Sequence, residues 1–360
     1  MTNLDDAYAR FLLVDFEYGA GFANHGPMAV EALESIGHPA LIPAFVDSYA
    51  PRIHPARPGR PLQADELATA LGQPDRAADW AAHYEAALAG GDWRAVALPA
   101  VRTLLPGLSA AAGHGLLRTV HALRALERDD NPIRRRELAR GLAYWSATFR
   151  RLPGEPGRQA ASGGSPGGVS FPDVAALLRD LPKLSGCGRS AETFVESMRR
   201  LDDRADFRDA IERFPLPAEA EVDAFLGALC REAAGLYVAH AEARIAYVHT
   251  VTIPSAVRWL APRLGAADAR RAAGHALQAV AAFHALLGGT PARETVDEEV
   301  ARTAESWDEI RYRAACSLEE HAVKLAEACW REDRLGADPV LRLAAADAAL
   351  RLEGNPNAAR

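Results

Sequence analysis

The sequence predicts an all-α fold, a single large domain of many helices that encloses a buried site. Apolar residues recur at spacings of three and four along most of the 360 residues, which is typical of amphipathic helices. Runs of alternating β-branched residues are nearly absent, so few strands are expected. With 49% hydrophobic and 25% charged residues, the chain can bury a large core. We therefore expect one helical domain over residues 1–360.

Helix boundaries follow from capping residues and prolines. Asn24 is a plausible cap for a helix whose first turn holds Pro27, and Pro254 requires a helix to kink or stop. Ser306 and Glu309 form the pattern of a capping box at the start of a long helix. In chain order the predicted helices are 4–15, 27–35, 41–49, 64–71, 76–89, 93–105, 114–127, 132–149, 171–181, 191–200, 203–213, 218–251, 255–264, 266–287, 307–331 and 339–352.

One segment interrupts this helical pattern. Residues 152–170, LPGEPGRQAASGGSPGGVS, contain too much Gly, Pro and Ser for a helix or a strand. The segment is either a linker between two helical halves or a mobile loop over a site. Because helical character resumes on both sides, we expect a loop within one fold.

Charge and cysteine content exclude several classes of protein. Lys and Arg total 41 against 48 Asp and Glu, a net charge of −7, whereas binding to nucleic acid or an anionic membrane requires a basic face. There is no signal-peptide pattern and no apolar run long enough to span a bilayer. Cys187, Cys230, Cys316 and Cys329 show no metal-binding or disulfide spacing. We expect a cytoplasmic protein with reduced thiols.

The basic residues themselves are unusual. Lysine occurs only at Lys183 and Lys324, so 39 of the 41 basic residues are arginines. About a fifth of the chain is alanine, and this bias is typical of genome composition, because Arg and Lys are equally suited to a solvated helix face. Each remaining lysine therefore calls for an explanation.

Several histidines are candidates for a polar cavity or a metal site. His25 precedes a predicted helix, where it is either a capping or loop histidine or part of a site. His114, Arg118 and His121 share one face of another helix, which is either a wet surface or a polar cavity lining, and the glycines beside His114 favour the cavity. His249 lies in an apolar stretch, where it is either a hydrogen-bonded core histidine or a metal ligand. The remaining histidines indicate no site: His38, His54 and His83 lie in exposed-looking stretches, and His240, His275 and His284 show no constellation.

The strongest candidate is the pair His321 and Lys324, three residues apart in SLEEHAVKLAEACWRED. That spacing lets both side chains reach one ion, but lysine must first lose its charge by burial or be carbamylated. The alternative is a surface pair between Glu320 and Lys324, which arginine would form equally well. Separated histidines without cysteines suit Fe, Mn, Zn or Cu. The chain has no GxGxxG, Walker A or HExxH motif.

Five segments together resemble the questin oxidase family, from about His25 to Cys329 and in family order. They are NHGPMAVEALESIG, PAFVDSYAPRI, GHGLLRTVHALRAL, YVHTVTIPSAVRWL and EEHAVKLAEAC. The resemblance implies a helical, non-haem iron oxygenase of aromatic polyketide metabolism. It also implies a metal held by several histidines and a carboxylated lysine, and these positions fall on His25, His114, His249, His321 and Lys324.

The resemblance further implies oxidative C–C cleavage of an anthraquinone-type ring, by a dioxygenase or in a Baeyer–Villiger-like manner, with Fe(II), dioxygen and a small aromatic substrate. Family members often carry tyrosine at the position of His121, which we expect to line the cavity, and Arg118 is a candidate contact for an anionic substrate oxygen. Two alternatives stay open. One is a monooxygenase that uses NADPH as an external reductant, although the chain has no nicotinamide or flavin fingerprint, and the other is a non-enzymatic helical binding protein.

Overall fold

A computed structural model describes residues 2–19, 21–159, 173–184, 194–289 and 306–352, and in these ranges it confirms the all-α prediction. The helices are α1 Asn3–Phe11, α2 Gly26–Ser35, α3 Ile42–Tyr49, α4 Leu67–Ala70, α5 Ala77–Leu88, α6 Trp93–Leu104, α7 His114–Arg128, α8 Pro132–Ala147, α9 Val174–Asp180, α10 Phe194–Ser197, α11 Ala205–Arg213, α12 Val222–Ala239, α13 Arg244–Leu260, α14 Ala266–Leu287, α15 Trp307–Ser317, α16 Glu320–Leu335 and α17 Pro339–Arg351. A short antiparallel hairpin, β1 Glu17–Tyr18 and β2 Phe22–Ala23, precedes α2.

The hydrophobic core consists of two clusters of buried side chains. The larger one extends from Phe16 to Leu352 and includes most residues of α7, α8, α12, α13 and α14 that face inward. The smaller one joins α1, α2 and α3 around Phe11, Phe45 and Tyr49. Between the clusters, α2 packs on α7 and α16, and α13 packs on the same two helices. These four helices therefore surround one interior position.

One long predicted helix is two helices. The helix predicted over 218–251 ends at Ala239, and α13 begins at Arg244. His240 leaves the helical conformation, with φ −110° and ψ 70°, and its ring stacks on Tyr247 at a centroid distance of 5.0 Å. Apolar periodicity continues across this break, which is why the sequence pattern did not reveal it.

The boundary predicted at Pro254 is wrong, because α13 runs through it from Arg244 to Leu260. Pro254 lacks the N–H that would bond to the Thr250 carbonyl, but every residue from Tyr247 to Arg258 is buried. Tertiary packing on both sides of the proline therefore holds the helix together.

The helix predicted over 307–331 also consists of two helices. Ser306 and Glu309 do form the capping box, but α15 ends at Ser317 and Leu318 adopts a left-handed conformation with φ 50°. The next helix, α16, begins at Glu320, with the Glu319 carboxylate accepting a hydrogen bond from the backbone N–H of Ala322 at 2.6 Å. The break places His321 in the first turn of α16, at a helix end.

Part of the predicted loop at 152–170 is described. Residues 152–159 pack on α11, where the backbone N–H groups of Gly157 and Gln159 donate to the carbonyls of Ile211 and Glu212 at 3.2 and 2.8 Å. Residues 160–170 of the loop, the starts of the predicted helices at 171 and 191, and Cys187 lie outside the described residues. Among the helices that the structure describes, none combines the length and apolarity needed to cross a membrane.

Candidate metal centre

Four imidazoles meet where α2, α7, α13 and α16 surround a common interior. They belong to His25, which caps α2, His114, which opens α7, His249 in the middle of α13, and His321. The Nε2 atom of His114 lies 2.6 Å from that of His25 and 2.9 Å from that of His249. The ring centroids of His25 and His321 are 4.6 Å apart. Each of the four residues is at most 8% exposed, so the group is closed to bulk water.

Backbone carbonyls fix the tautomers of two of these rings. The Nδ1 atom of His114 contacts the carbonyl oxygen of Ala111, and that of His249 contacts those of Ile245 and Ala246 at 3.1 and 3.2 Å. Because a carbonyl oxygen only accepts, each Nδ1 must carry the proton. In a neutral ring the Nε2 atom is then a bare lone pair.

Two lone pairs therefore face each other across 2.9 Å, between Nε2 of His114 and Nε2 of His249. Burial lowers the pKa of both rings well below the usual range, and the neighbouring imidazoles and Lys324 lower it further. Protonation is thus disfavoured, and a hydrogen bond cannot join two acceptors. A cation bound between them would turn this repulsion into ligation. The buried cluster of His25, His114 and His249 is able to bind a metal.

A strained turn presents His114 to the cluster. Ala111 and Ala112, with φ values of 47° and 57°, and Gly113, with 83°, are consecutive left-handed residues directly before α7. For non-glycine residues this conformation costs roughly 1 kcal/mol or more each. The turn aims the Ala111 carbonyl at His114. A Cβ on Gly113 would lie 2.5 Å from Ile253, which confirms the predicted close approach beside His114.

His25 is held in place by its neighbours in the chain and by α3. Its backbone N–H donates to the Tyr49 hydroxyl at 2.9 Å, and Gly26 packs so closely on Phe11 that an added Cβ would lie 2.3 Å from the ring. The cap of α2 is His25 rather than the predicted Asn24, although the Asn24 side chain still accepts from the N–H of Gly26. Substitutions in this stretch are thus expected to displace the imidazole.

Lys324 lies one turn after His321 on α16 and is 1% exposed. Its Nζ atom is buried and has no hydrogen-bond partner among the described residues. Burial lowers the pKa of Lys324 to about 8, against the opposing effect of Glu320 and Glu319. The alternative of a surface pair between Glu320 and Lys324 is therefore wrong, because both residues are buried and Glu320 is only 7% exposed.

Two carboxylates at the start of α16 belong to the site, and sequence reasoning did not identify them. Glu319 accepts from Nδ1 of His321 at 2.9 Å, which directs Nε2 of that ring away from the carboxylate. Oε1 of Glu320 lies 3.7 Å from Nδ1 of His25, a nitrogen with no hydrogen-bond partner among the described residues. His25, Glu320 and His321 form a second group with metal-ligand spacing. The sequence does show two acidic residues directly before a candidate ligand, which was the available signal.

Arg118 and His121 are buried on α7, and each contacts a carboxylate. Arg118 donates two hydrogen bonds to Glu137, at 2.6 and 2.9 Å, which leaves Nη1 as its one nitrogen without a partner. Nδ1 of His121 lies 2.5 Å from the Glu31 carboxylate. His121 stands two helical turns beyond His114, and the metal-ligand groups found in the described residues do not contain it.

The other histidines fall into two sets. His54 is exposed and His38 and His83 are half-buried, in keeping with their interpretation as non-site residues. His240 and His284 approach each other at a centroid distance of 5.5 Å, and Nδ1 of His284 lies 2.8 Å from the Tyr247 hydroxyl, a grouping that the sequence did not reveal. Lys183 is half-buried and donates to carbonyl oxygens at the end of α9.

Comparisons with known proteins leave the family open. No protein-family model matches the chain, and no curated protein matches it significantly.

Proposed function

We propose that this chain is a non-haem, iron-dependent oxygenase that cleaves a ring of an aromatic, anthraquinone-type polyketide. The observation that carries the proposal is a buried pair of imidazoles, those of His114 and His249, whose protons are fixed on Nδ1 by backbone carbonyls and whose Nε2 atoms face each other. Such preorganised, water-excluded imidazoles are typical of metal sites. The resemblance of five sequence segments to the questin oxidase family supports the substrate class and the choice of iron.

The residues present fit a metal of this kind. The ion would be held by the imidazoles of His25, His114, His249 and His321. Reaction of the unpartnered Nζ of Lys324 with CO₂ would give a carbamate, which would add an anionic oxygen ligand. Neutral imidazoles without cysteine suit a first-row metal. When bound, the iron would supply the redox chemistry that activates dioxygen.

The protein's own residues would orient and shield the reaction. The carbonyls of Ala111 and Ala246 and the carboxylate of Glu319 each contact Nδ1 of one ring. In this way they would present the Nε2 atoms of three rings to the ion. Phe283 stacks on His249 at a centroid distance of 6.0 Å and contributes apolar surface next to the site. Burial excludes water, which protects reactive oxygen species from side reactions. Nη1 of Arg118 is an available donor for an anionic substrate oxygen.

The test is metal content and turnover after anaerobic purification. We expect about one iron per chain, loss of bound iron in His114→Ala, and retention in His54→Ala, a matched control in which an exposed histidine is removed. Incubation of the iron-loaded protein with a hydroxylated anthraquinone and ¹⁸O₂ is expected to give a ring-opened product carrying labelled oxygen.

Each competing hypothesis gives a different result. Two labelled atoms in the product support a dioxygenase, whereas one labelled atom together with a requirement for NADPH supports the monooxygenase. A purified protein that contains no first-row metal, and takes up none on addition of Fe(II), would contradict the proposal and favour a binding protein.

A further inference from the structure

A cavity of about 390 Å³ lies between α11, α14 and the segment 151–158, away from the candidate metal centre. Its volume is in the range of small-molecule sites, and it has a strongly polar lining that includes Arg151, Glu155, Arg208, Glu212, His275 and Gln278. His275 precedes Phe283, which packs on the metal centre, by eight residues of α14, or about 12 Å along the helix. The cavity is therefore separate from the proposed oxygenase site.

A buried relay of hydrogen bonds builds the floor of this cavity. The amide nitrogen of Gln278 donates to the carbonyls of Pro153 and Gly154 at 3.1 and 2.8 Å, so its oxygen is directed at Nδ1 of His275, 3.0 Å away. That oxygen only accepts, and Nδ1 must therefore carry the proton. His275 is 4% and Gln278 is 2% exposed.

This relay fixes the chemistry that His275 offers. Burial lowers the pKa of His275, so the ring is neutral and Nε2 is an acceptor. Nε2 is the one remaining hydrogen-bonding atom of a ring that lines the cavity. The hydrogen bonds of the relay offset the cost of burying these two polar side chains in the apolar middle of α14.

The charges around the cavity favour an anion. Arg158 is paired with Glu212 at 2.7 Å, so these two charges offset each other. Arg151 and Arg208 have no carboxylate partner within the ranges that the structure describes, and Glu155 is the one further acidic group in the lining. Arg208 makes one long contact, 3.5 Å, to the carbonyl of Asp202. Two guanidinium groups are thus available at one cavity.

We propose that this cavity binds an anionic phosphate group. Guanidinium groups of Arg151 and Arg208 suit the oxygens of a phosphate in geometry and in charge. Nε2 of His275 would accept a hydrogen bond from a hydroxyl group of the ligand. The phosphate would come either from inorganic phosphate or from a nucleotide, and the volume is large enough for a group beyond the phosphate itself.

Isothermal titration of the full chain, at fixed ionic strength, tests this. Inorganic phosphate and adenosine monophosphate are titrated separately, and we expect saturable 1:1 binding with a Kd of about 1 mM or below for at least one of them. Tighter binding of the nucleotide, reduced to that of phosphate by His275→Gln, identifies a nucleotide-type ligand. Equal affinity for the two identifies inorganic phosphate.

Variants of the exposed arginines keep the proposal falsifiable even if His275→Gln does not fold. Arg151→Ala and Arg208→Ala are each expected to weaken binding about tenfold or more, and Arg151→Lys to recover part of it. Arg199→Ala removes an exposed arginine outside the cavity and is expected to leave the Kd unchanged. Absence of saturable binding below about 10 mM, or affinities of both alanine variants within about twofold of wild type, would overturn the proposal.

Discussion

Replacing Lys324 by methionine is expected to stabilise the metal-free protein while it weakens metal binding. Methionine keeps an unbranched chain of similar length but removes the ammonium group, whose Nζ is buried without a hydrogen-bond partner in the described structure. A residue retained at a cost to stability is typical of functional sites. The two effects of one substitution have opposite signs, and this separates a functional role from a structural one.

The magnitude follows from the pKa of Lys324. Burial lowers it from 10.5 to about 8, and at about 1.4 kcal/mol per unit this corresponds to roughly 3 kcal/mol. Below pH 8 the lysine is charged in the folded and the unfolded chain, so the whole penalty is present. Between pH 8 and 10.5 the unfolded chain binds a proton that the folded chain has released, so the stability of the wild type rises with pH. The advantage of Lys324→Met should therefore shrink across that window.

Urea unfolding of chelator-treated protein in CO₂-free buffer measures this difference at pH 7 and pH 10. Lys183→Met is the matched control, because the other lysine donates to carbonyl oxygens of Leu178 and Leu181 and its removal should not stabilise the fold. Lys324→Arg keeps the charge and enlarges the side chain, so it is expected to be less stable than wild type.

The reasoning is refuted if metal-free Lys324→Met is no more stable than wild type at pH 7. It is also refuted if the stability gap is the same at both pH values. If the variant is more stable but binds iron with undiminished affinity, then Lys324 is a buried charge without a role as a ligand, and the assignment of the anionic ligand passes to Glu320, the nearest carboxylate to His25.

Three further predictions concern the surroundings of the site. Glu319→Ala removes the acceptor that orients His321 and is expected to weaken metal binding about 10- to 100-fold in competition with a chromophoric chelator. Glu137→Leu leaves the buried charge of Arg118 without a partner and is expected to lower the free energy of unfolding by about 3–5 kcal/mol in urea. The double variant Arg118→Met, Glu137→Leu should regain most of that stability. A double variant no more stable than Glu137→Leu would contradict the coupling of the two side chains. Burial opposes ionisation of Asp5, but hydrogen bonds from three side chains outweigh it and lower its pKa to about 2. Wild type should therefore be more stable than Asp5→Asn above pH 4 and lose that advantage as the pH falls toward 2, with an unchanged difference at pH 2 contradicting the assignment.

Helical periodicity was sufficient to predict the fold class, because an amphipathic helix repeats its apolar positions regardless of its partners. Helical periodicity could not predict the breaks between helices at His240 and Leu318. In both places the apolar pattern continues while two residues leave the helical conformation, His240 and Ala243 at the first break and Leu318 and Glu319 at the second. At Pro254 the opposite error arose, since the local rule against proline is outweighed by packing of the whole helix.

Only those members of the site whose residue types are uncommon in this chain and able to bind a metal could be predicted from the sequence. His25, His114, His249 and His321 are too far apart in sequence for spacing alone to join them, and family resemblance indicated the set. The carbonyls that fix the tautomers could not be predicted, because every residue has one and only the fold selects Ala111 or Ala246. The role of Glu319 likewise depends on the helix break before it.

The pairing of other buried charges in this fold supports a role for Lys324 as the source of a metal ligand. Several buried charged groups are paired at short distance, among them Arg118 with Glu137 at 2.6 Å, Arg124 with Glu327 at 2.6 Å, and Arg258 with Glu332 at 2.7 Å. Each of these guanidiniums lies against a carboxylate, which offsets the cost of burying its charge. Lys324 makes no such contact in the described structure, and it is one of only two lysines in a chain whose other basic residues are arginines. Arginine cannot lose its proton or be carbamylated, so a position that requires either property must keep lysine. The fold that pairs these three arginines with carboxylates places its one deeply buried amine beside four imidazoles instead, where an anionic ligand derived from that amine would complete a metal site.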